Sequence, residues 1–234
     1  MSLSSKDACH ADIKLRILTL DLAPGSVLDE GSLASHYGLS RTPLREILQR
    51  LAGQGYISLA EHRGAKVASM DVTAMRTFFQ TAPMIYANVS RLAAENHTPA
   101  QRITLQTAQD KFAKCTLEQD AAGAALANHT FHATIGEMAQ NPYLTASLNR
   151  LLIDHTRLSQ TFYRPQSATD EALIVKASAQ HDALIAAISA REAALAIDLT
   201  LQHWDLSRDR IERFVRPDPL PLDVVSFKDK RNAI

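Results

Sequence analysis

The chain has 234 residues, 46% of them hydrophobic and 21% charged, the composition of a soluble globular protein large enough for one large domain or two ordinary ones. Lys and Arg number 25 and Asp and Glu 25, so bulk charge gives no support to nucleic-acid binding. No apolar run nears the roughly 20 residues of a membrane helix, Met1 to Asp7 holds no apolar signal core, and Cys9 and Cys115 stand isolated without metal or disulfide spacing; a cytoplasmic protein with free thiols and no membrane partner is expected.

Residues 1–68 read as a first domain. Ile13, Ile17, Leu18 and Leu20 have amphipathic spacing and predict a helix from Ala11 to Leu22, ended by Pro24-Gly25. A short helix follows over Ser32 to Tyr37, stopped by Gly38. Ser40 or Thr42 caps a third, with Pro43 in its first turn and Leu44, Ile47, Leu48 and Leu51 as its buried stripe; Gly53 and Gly55 end it. Tyr56 to Leu59 and Ala65 to Ala68 read as two strands joined by a turn ending at Arg63-Gly64.

Beyond Met70-Asp71 the strand pattern stops. Ala- and Leu-rich segments predict six helices, over roughly 71–96, 99–115, 118–139, 142–163, 168–190 and 192–215. Residues 71–215 are thus expected to form an all-helical second domain, to which the resemblance given below assigns effector binding and dimerisation, and 216–234, with Pro217, Pro219 and Pro221, an irregular tail. The predicted fold class is mainly α: a winged helix-turn-helix of three helices and a β-hairpin, then a six-helix bundle.

Local charge departs from the global balance. Between Ser40 and Ala68 five cations, Arg41, Arg45, Arg50, Arg63 and Lys66, face only Glu46 and Glu61. A short helix, a glycine turn and a helix with a cationic first turn is the layout that places the second helix in the major groove. Arg41 and Arg45 share a face, and an arginine there reads guanine through two hydrogen bonds. Ser40 and Thr42 suit phosphate contacts at a helix N-terminus, and His62, Arg63 and Gly64 at the hairpin tip reach toward a minor groove. The plainer reading, a capped amphipathic helix with solvated arginines, is weakened by the hairpin.

In the helical half, Asn128 and His132 stand four residues apart on the face of Ala125, Ile135 and Ala139. His181 shares a face with Leu184, Ile185 and Ile188, and His203 with Leu199 and Leu206. Each alone reads as a hydrogen-bonded core histidine. Three that converge suit a divalent metal, zinc first and nickel or manganese as alternatives. Three histidines also serve hydrolytic zinc, but there is no HExxH, and Glu137 falls off the His132 face.

These strings resemble a known family. Pro24-Gly25-Ser26-Val27-Leu28, Leu33-Ala34 through Ser40-Arg41-Thr42-Pro43-Leu44-Arg45-Glu46, and Arg63-Gly64 are similar to the DNA-binding domain of the GntR superfamily. The second half is similar to the FCD effector domain of the FadR subfamily, in its shorter, VanR-like length. That resemblance implies a metal site at Asn128, His132, His181 and His203. It also marks departures. Gly31 stands where an extra DNA-contacting arginine is common, Asn128 where the family has aspartate, and Thr81-Ala82-Pro83-Met84-Ile85-Tyr86 where an arginine and a glutamate are common. Arg157, next to His155, is then the candidate partner for an effector carboxylate, with a surface ion pair to Asp154 as its plainer role.

The function this implies is a homodimeric transcription regulator, a repressor in the first instance. It would bind a palindromic double-stranded operator, its affinity set by an organic acid and coupled through Ser69-Met70-Asp71. A metal-dependent hydrolase and a sensor of the metal itself are the alternatives.

Overall fold

The computed structural model describes residues 4–60 and 64–215. In chain order, α1 (Ser5–Leu18), β1 (Val27–Leu28), α2 (Glu30–Tyr37), α3 (Arg41–Gln54), β2 (Ile57–Ala60) and β3 (Gly64–Val67) make the first unit. α4 (Val72–Asn96), α5 (Pro99–Leu117), α6 (Ala121–Met138), α7 (Pro142–Phe162), α8 (Ala168–Ser189) and α9 (Ala193–Val215) make the bundle. The fold is the mainly α arrangement expected, and the bundle helices fall within a few residues of their predicted spans.

The first unit differs in detail from its sequence pattern. α1 starts at Ser5, not Ala11, because Ser4 accepts from the Asp7 amide and caps it. It ends at Leu18, ahead of Pro24-Gly25, where Leu20 turns the chain at φ 67°. The two residues of β1 carry no periodic signal of their own, yet they pair antiparallel with β3, which also pairs with β2, in the order β1-β3-β2. Ser40 is the N-cap of α3 by backbone position but makes no side-chain cap bond, and Thr42 lies inside the helix. Gly53 also lies inside α3, which Gly55 ends in the left-handed conformation at φ 86°. The strands sit one residue away from their expected limits, at 57–60 and 64–67. His62, Arg63 and the tail 216–234 lie outside the described residues.

Most helix starts in the bundle carry a side-chain cap. Asp71, Asp120, Asn141 and Ser167 each accept from the first turn of their helix, and Thr98 and Gln101 form a reciprocal capping box. Three turns between helices use non-glycine residues at positive φ: Gln119, Gln140 and Arg191. Arg191 also donates to the carbonyls of Glu95 and His97, closing the end of α4.

Two cores result. Ile13, Ile17, Leu44, Leu48 and Leu51 bury the inner faces of α1 and α3 against the small sheet, joined by Ile153 from α7. Phe78, Ile85, Phe131, Leu152, Leu184 and Trp204 are part of the larger core of the bundle. The bundle therefore lends one residue of α7 to the first unit's core, and that helix sits between the two sites described next.

Candidate functional site

α3 buries one stripe and displays the other. Leu44, Ile47, Leu48 and Leu51 are covered, which leaves Ser40, Arg41, Thr42 and Arg45 exposed at the N-terminal end. Amide groups of the first turn and two guanidinium groups thus face outward together, the arrangement an anion-rich groove requires. Arg45 Nε lies 3.8 Å from Glu30 on α2, an exposed pair of little energetic weight that a phosphate can displace. Gly64 opens β3 at φ 71°, a left-handed position at the hairpin that suits glycine.

The second site is inside the bundle. α6 supplies Asn128 and His132, α8 His181 and α9 His203, and all four are buried. The ligand atoms of the three histidines lie within 4.8 Å of one another. His181 stacks on Phe131 with centroids 4.0 Å apart, and His132 meets Tyr86 edge to face at 5.2 Å.

Hydrogen bonds fix which nitrogens face inward. Gln109 on α5 donates its amide N–H to Ser178 O and Oγ at 3.1 Å and to Asp182 Oδ1 at 3.0 Å. Its oxygen therefore turns to His181 and accepts from Nδ1–H at 2.8 Å. Gln180 Oε1 stands 3.0 Å from His203 Nδ1 and holds the same tautomer there. The two Nε2 atoms then face each other at 3.2 Å with lone pairs inward. Asn128 Oδ1 and His132 Nε2 are buried without any hydrogen-bond partner. Unpaired buried polar atoms cost free energy, so their concentration here needs a function to explain it.

Burial keeps these rings neutral. It holds His132 and His181 well below the usual imidazole range, with repulsion from neighbouring histidines adding to the effect. Burial lowers His203 to about 4. His155 falls to about 3 through burial and then through the charges of His203 and His129. Neutral imidazole is the ligand form, so every ring is ready to ligate at physiological pH.

Tyr86, His132, His155, Leu184, Thr200, His203 and Trp204 enclose a cavity of ≈ 10 Å³, room for about one water molecule. Tyr86 Oη and His155 Nδ1 are hydrogen-bonded at 2.7 Å. No arginine or lysine lines it. A larger, open groove of ≈ 560 Å³ runs between the start of α4 and α7, past Asp71, Phe78, Arg150 and Asp154, but it holds no histidine and no orphaned acceptor. We take the smaller cavity as the site because convergent donors, not volume, define chemistry.

His155 and Arg157 stand together in the sequence, and the structure separates them. Two residues apart on a helix point to nearly opposite sides. His155 lines the cavity, whereas Arg157 does not; it is fully buried on the other side of α7, where it donates to Ala68 O at 2.7 Å and to Asp154. The ion pair with Asp154 is present, but in the interior rather than at the surface. Gln109, Gln180, Thr200 and Trp204 carry no signal in the sequence, and Tyr86 enters it only at the end of the stretch Thr81–Tyr86 that departs from the family pattern. A glutamine or threonine on an Ala-rich helix has no spacing that separates a partner of histidine from a solvated residue.

Comparison with known proteins finds one family match in each unit. The model for bacterial regulatory proteins of the gntR family matches residues 6–67, and that for the FCD domain matches residues 80–206. An HTH-type transcriptional regulator in an unstable DNA locus of Streptomyces ambofaciens is 46% identical over 61 residues, 25% of this chain and 26% of its own length. The HTH-type transcriptional repressor GlaR of Escherichia coli is 27% identical over 212 residues, covering 87% of this chain and 93% of that protein. The solved structure of E. coli McbR/YncC superposes with a TM-score of 0.76 at 20% identity over 92% of this chain and 100% of the other, and so has the same fold. No described helix is long and apolar enough to cross a membrane. The relatives are regulators and not enzymes, which sets aside a hydrolytic reading of the histidines. With an outward-facing cationic helix at one end and an FCD bundle over the rest, the chain belongs to the GntR-family transcription regulators that carry an FCD domain.

Proposed function

We propose that this chain is a homodimeric repressor whose affinity for a palindromic operator is set by a small carboxylate bound at a divalent metal in the histidine cavity. The observation that supports it most is the convergence of three neutral, buried imidazoles, one of them with its Nε2 unpartnered, beside the orphaned Asn128 Oδ1. His132, His181 and His203 would hold the metal, with the Asn128 oxygen as the fourth donor. A metal there would be held by donors at about 2.0–2.1 Å, and the Nε2 atoms of His181 and His203, 3.2 Å apart, have a spacing that suits such a set. Gln109 and Gln180 hold the tautomers that this ligand set needs.

The bound metal would supply a Lewis-acidic positive charge to a cavity that has no cationic side chain. Asn128 leaves that charge uncompensated where a carboxylate would have offset part of it. An anionic oxygen is therefore the complementary ligand, and His155 and Tyr86 are the adjacent hydrogen-bonding groups. Arg157, engaged at Ala68 and Asp154, is not needed for that role. Space for one water molecule means that a carboxylate enters only if the walls part. A ligand that favours the parted state changes operator affinity by that preference. Repression follows the sense of GlaR's name, and operator binding requires the cytoplasm.

A thermal-shift screen of small carboxylic acids, with and without chelator, tests the reading. Stabilisation that chelator abolishes is the expected result. Stabilisation indifferent to chelator would keep an effector cavity and reduce the histidines to core residues. A response of operator binding to free zinc with no acid present would favour the metal itself as signal.

A further inference from the structure

α7 touches both sites with opposite faces. Toward the DNA-reading unit it presents Arg150, Ile153, Arg157 and Gln160, spaced three, four and three apart, a single stripe of the helix. Each meets a different part of that unit. Arg150 lies over Gly55, the residue that ends α3, so closely that a Cβ there would stand 2.5 Å from Arg150 Cδ. Ile153 is packed in the unit's core. Arg157 Nη1 donates to Ala68 O at 2.7 Å, just beyond β3. Gln160 donates to Leu18 O at 3.1 Å, at the end of α1. Asp154 binds the stripe together, accepting from Arg157 and from Arg150 at 3.4 Å. The other face carries Leu152 into the bundle core and His155 into the cavity, where Tyr86 holds it.

A fully buried guanidinium with one carboxylate and one backbone carbonyl is an expensive device for holding two units together; packed apolar side chains do so at lower cost. Its geometry suits a contact with two discrete states, made or broken. We propose that Arg157, with Asp154, is the positioning residue that latches the DNA-reading unit to α7, so that movement of His155 in the cavity is passed to Ala68 and the end of α3. The proposal rests on the cavity being the effector site but not on a metal within it.

The test is a double-mutant cycle on the full-length protein, read by hydrogen exchange of the linker segment 66–72, which holds the Ala68 amide bonded to Tyr56 O at 2.9 Å. Tyr86→Phe perturbs the cavity side and Arg157→Met the latch. Arg157→Met is expected to speed linker exchange about tenfold or more while α8 exchange stays unchanged. Tyr86→Phe is expected to change linker exchange in the wild-type background and not in Arg157→Met. If Arg157→Met does not fold, the paired Asp154→Leu/Arg157→Met chain, which removes both charges, takes its place. Equal Tyr86→Phe effects in both backgrounds would overturn the proposal. So would a silent Tyr86→Phe in wild type, or unchanged linker exchange in a folded latch variant. Zinc content measured on the same proteins reports separately on the metal reading.

Discussion

The DNA-reading helix and the histidine cavity place polar groups in opposite settings. α3 buries its leucines and offers Arg41 and Arg45 to water, where each is solvated and nothing is strained. The bundle takes three imidazoles, an amide oxygen and a phenol out of water and leaves two of the acceptors without partners. The first arrangement costs little in the free protein and derives its energy from a partner's phosphates and bases. The second carries its cost in the free protein, and a bound cation, as proposed, would relieve it. On the proposed reading the two settings divide the labour of a regulator: a reader whose polar groups wait in water, and a cavity whose unpaired groups favour a ligand.

The largest expected difference between the two regions is in acid. His155, His203 and His129 have folded values of about 3, 4 and 4, all lowered chiefly by burial from an ordinary value of 6.5. Below pH 6.5 the unfolded chain takes up protons that the folded chain refuses until about pH 4. Their stabilising contribution is therefore full above that unfolded value and lost on acidification, by about 1.4 kcal/mol per pH unit for each ring. Denaturant melts at pH 7.5 and 5 should differ by several kcal/mol; equal midpoints would show that the bundle does not hold neutral imidazoles.

His181→Ala removes a proposed metal ligand and leaves Gln109 Oε1 without its donor. A stability loss of roughly 2–4 kcal/mol by denaturant melt, with zinc affinity reduced by more than about 100-fold, is expected. Zinc affinity within a few-fold of wild type would exclude His181 as a ligand. Arg41→Ala should leave stability within about 0.5 kcal/mol yet weaken operator binding by about 1–3 kcal/mol if Arg41 reads a base. Fluorescence anisotropy on specific and scrambled duplexes checks it, and unchanged affinity and specificity would remove Arg41 from the interface. Gly55→Ala acts where the regions meet. It forces a side chain into the left-handed region and against Arg150, so a loss of about 1–2 kcal/mol is expected, with faster exchange at the Ala68 linker. A neutral outcome would mean that α7 does not press on the end of α3.

Legibility in the sequence also divides along these lines. The SRTPLRE string of α3 carries its cap position, proline and cations in seven consecutive residues, so local rules suffice to place it. The helices of the bundle were legible from Asn141-Pro142 and similar punctuation, although Gln119, Gln140 and Arg191 turn the chain without a glycine. α1 was not, because Ser4 rather than an apolar residue sets its start, and β1 takes its identity from pairing with β3 alone. Helical spacing showed that Asn128 and His132 share a face but not that His181 and His203 meet them; the family resemblance supplied that. The tautomers set by Gln109, from 72 residues away in the chain, follow from no local pattern. The structure sets Arg157 away from the cavity for a plain geometric reason. Adjacency to His155 in sequence implied adjacency in space, whereas a helix sends residues two apart in opposite directions.

The central claim is that the buried histidines form a metal site on which effector control depends. Titration calorimetry of zinc into the chelator-stripped, full-length protein tests it most directly, with His132→Ala as control. One zinc per chain is expected, with little proton release because the rings are already neutral, and no binding in the variant. A folded wild-type protein that takes up no zinc, or a variant that binds it equally well, would contradict the account.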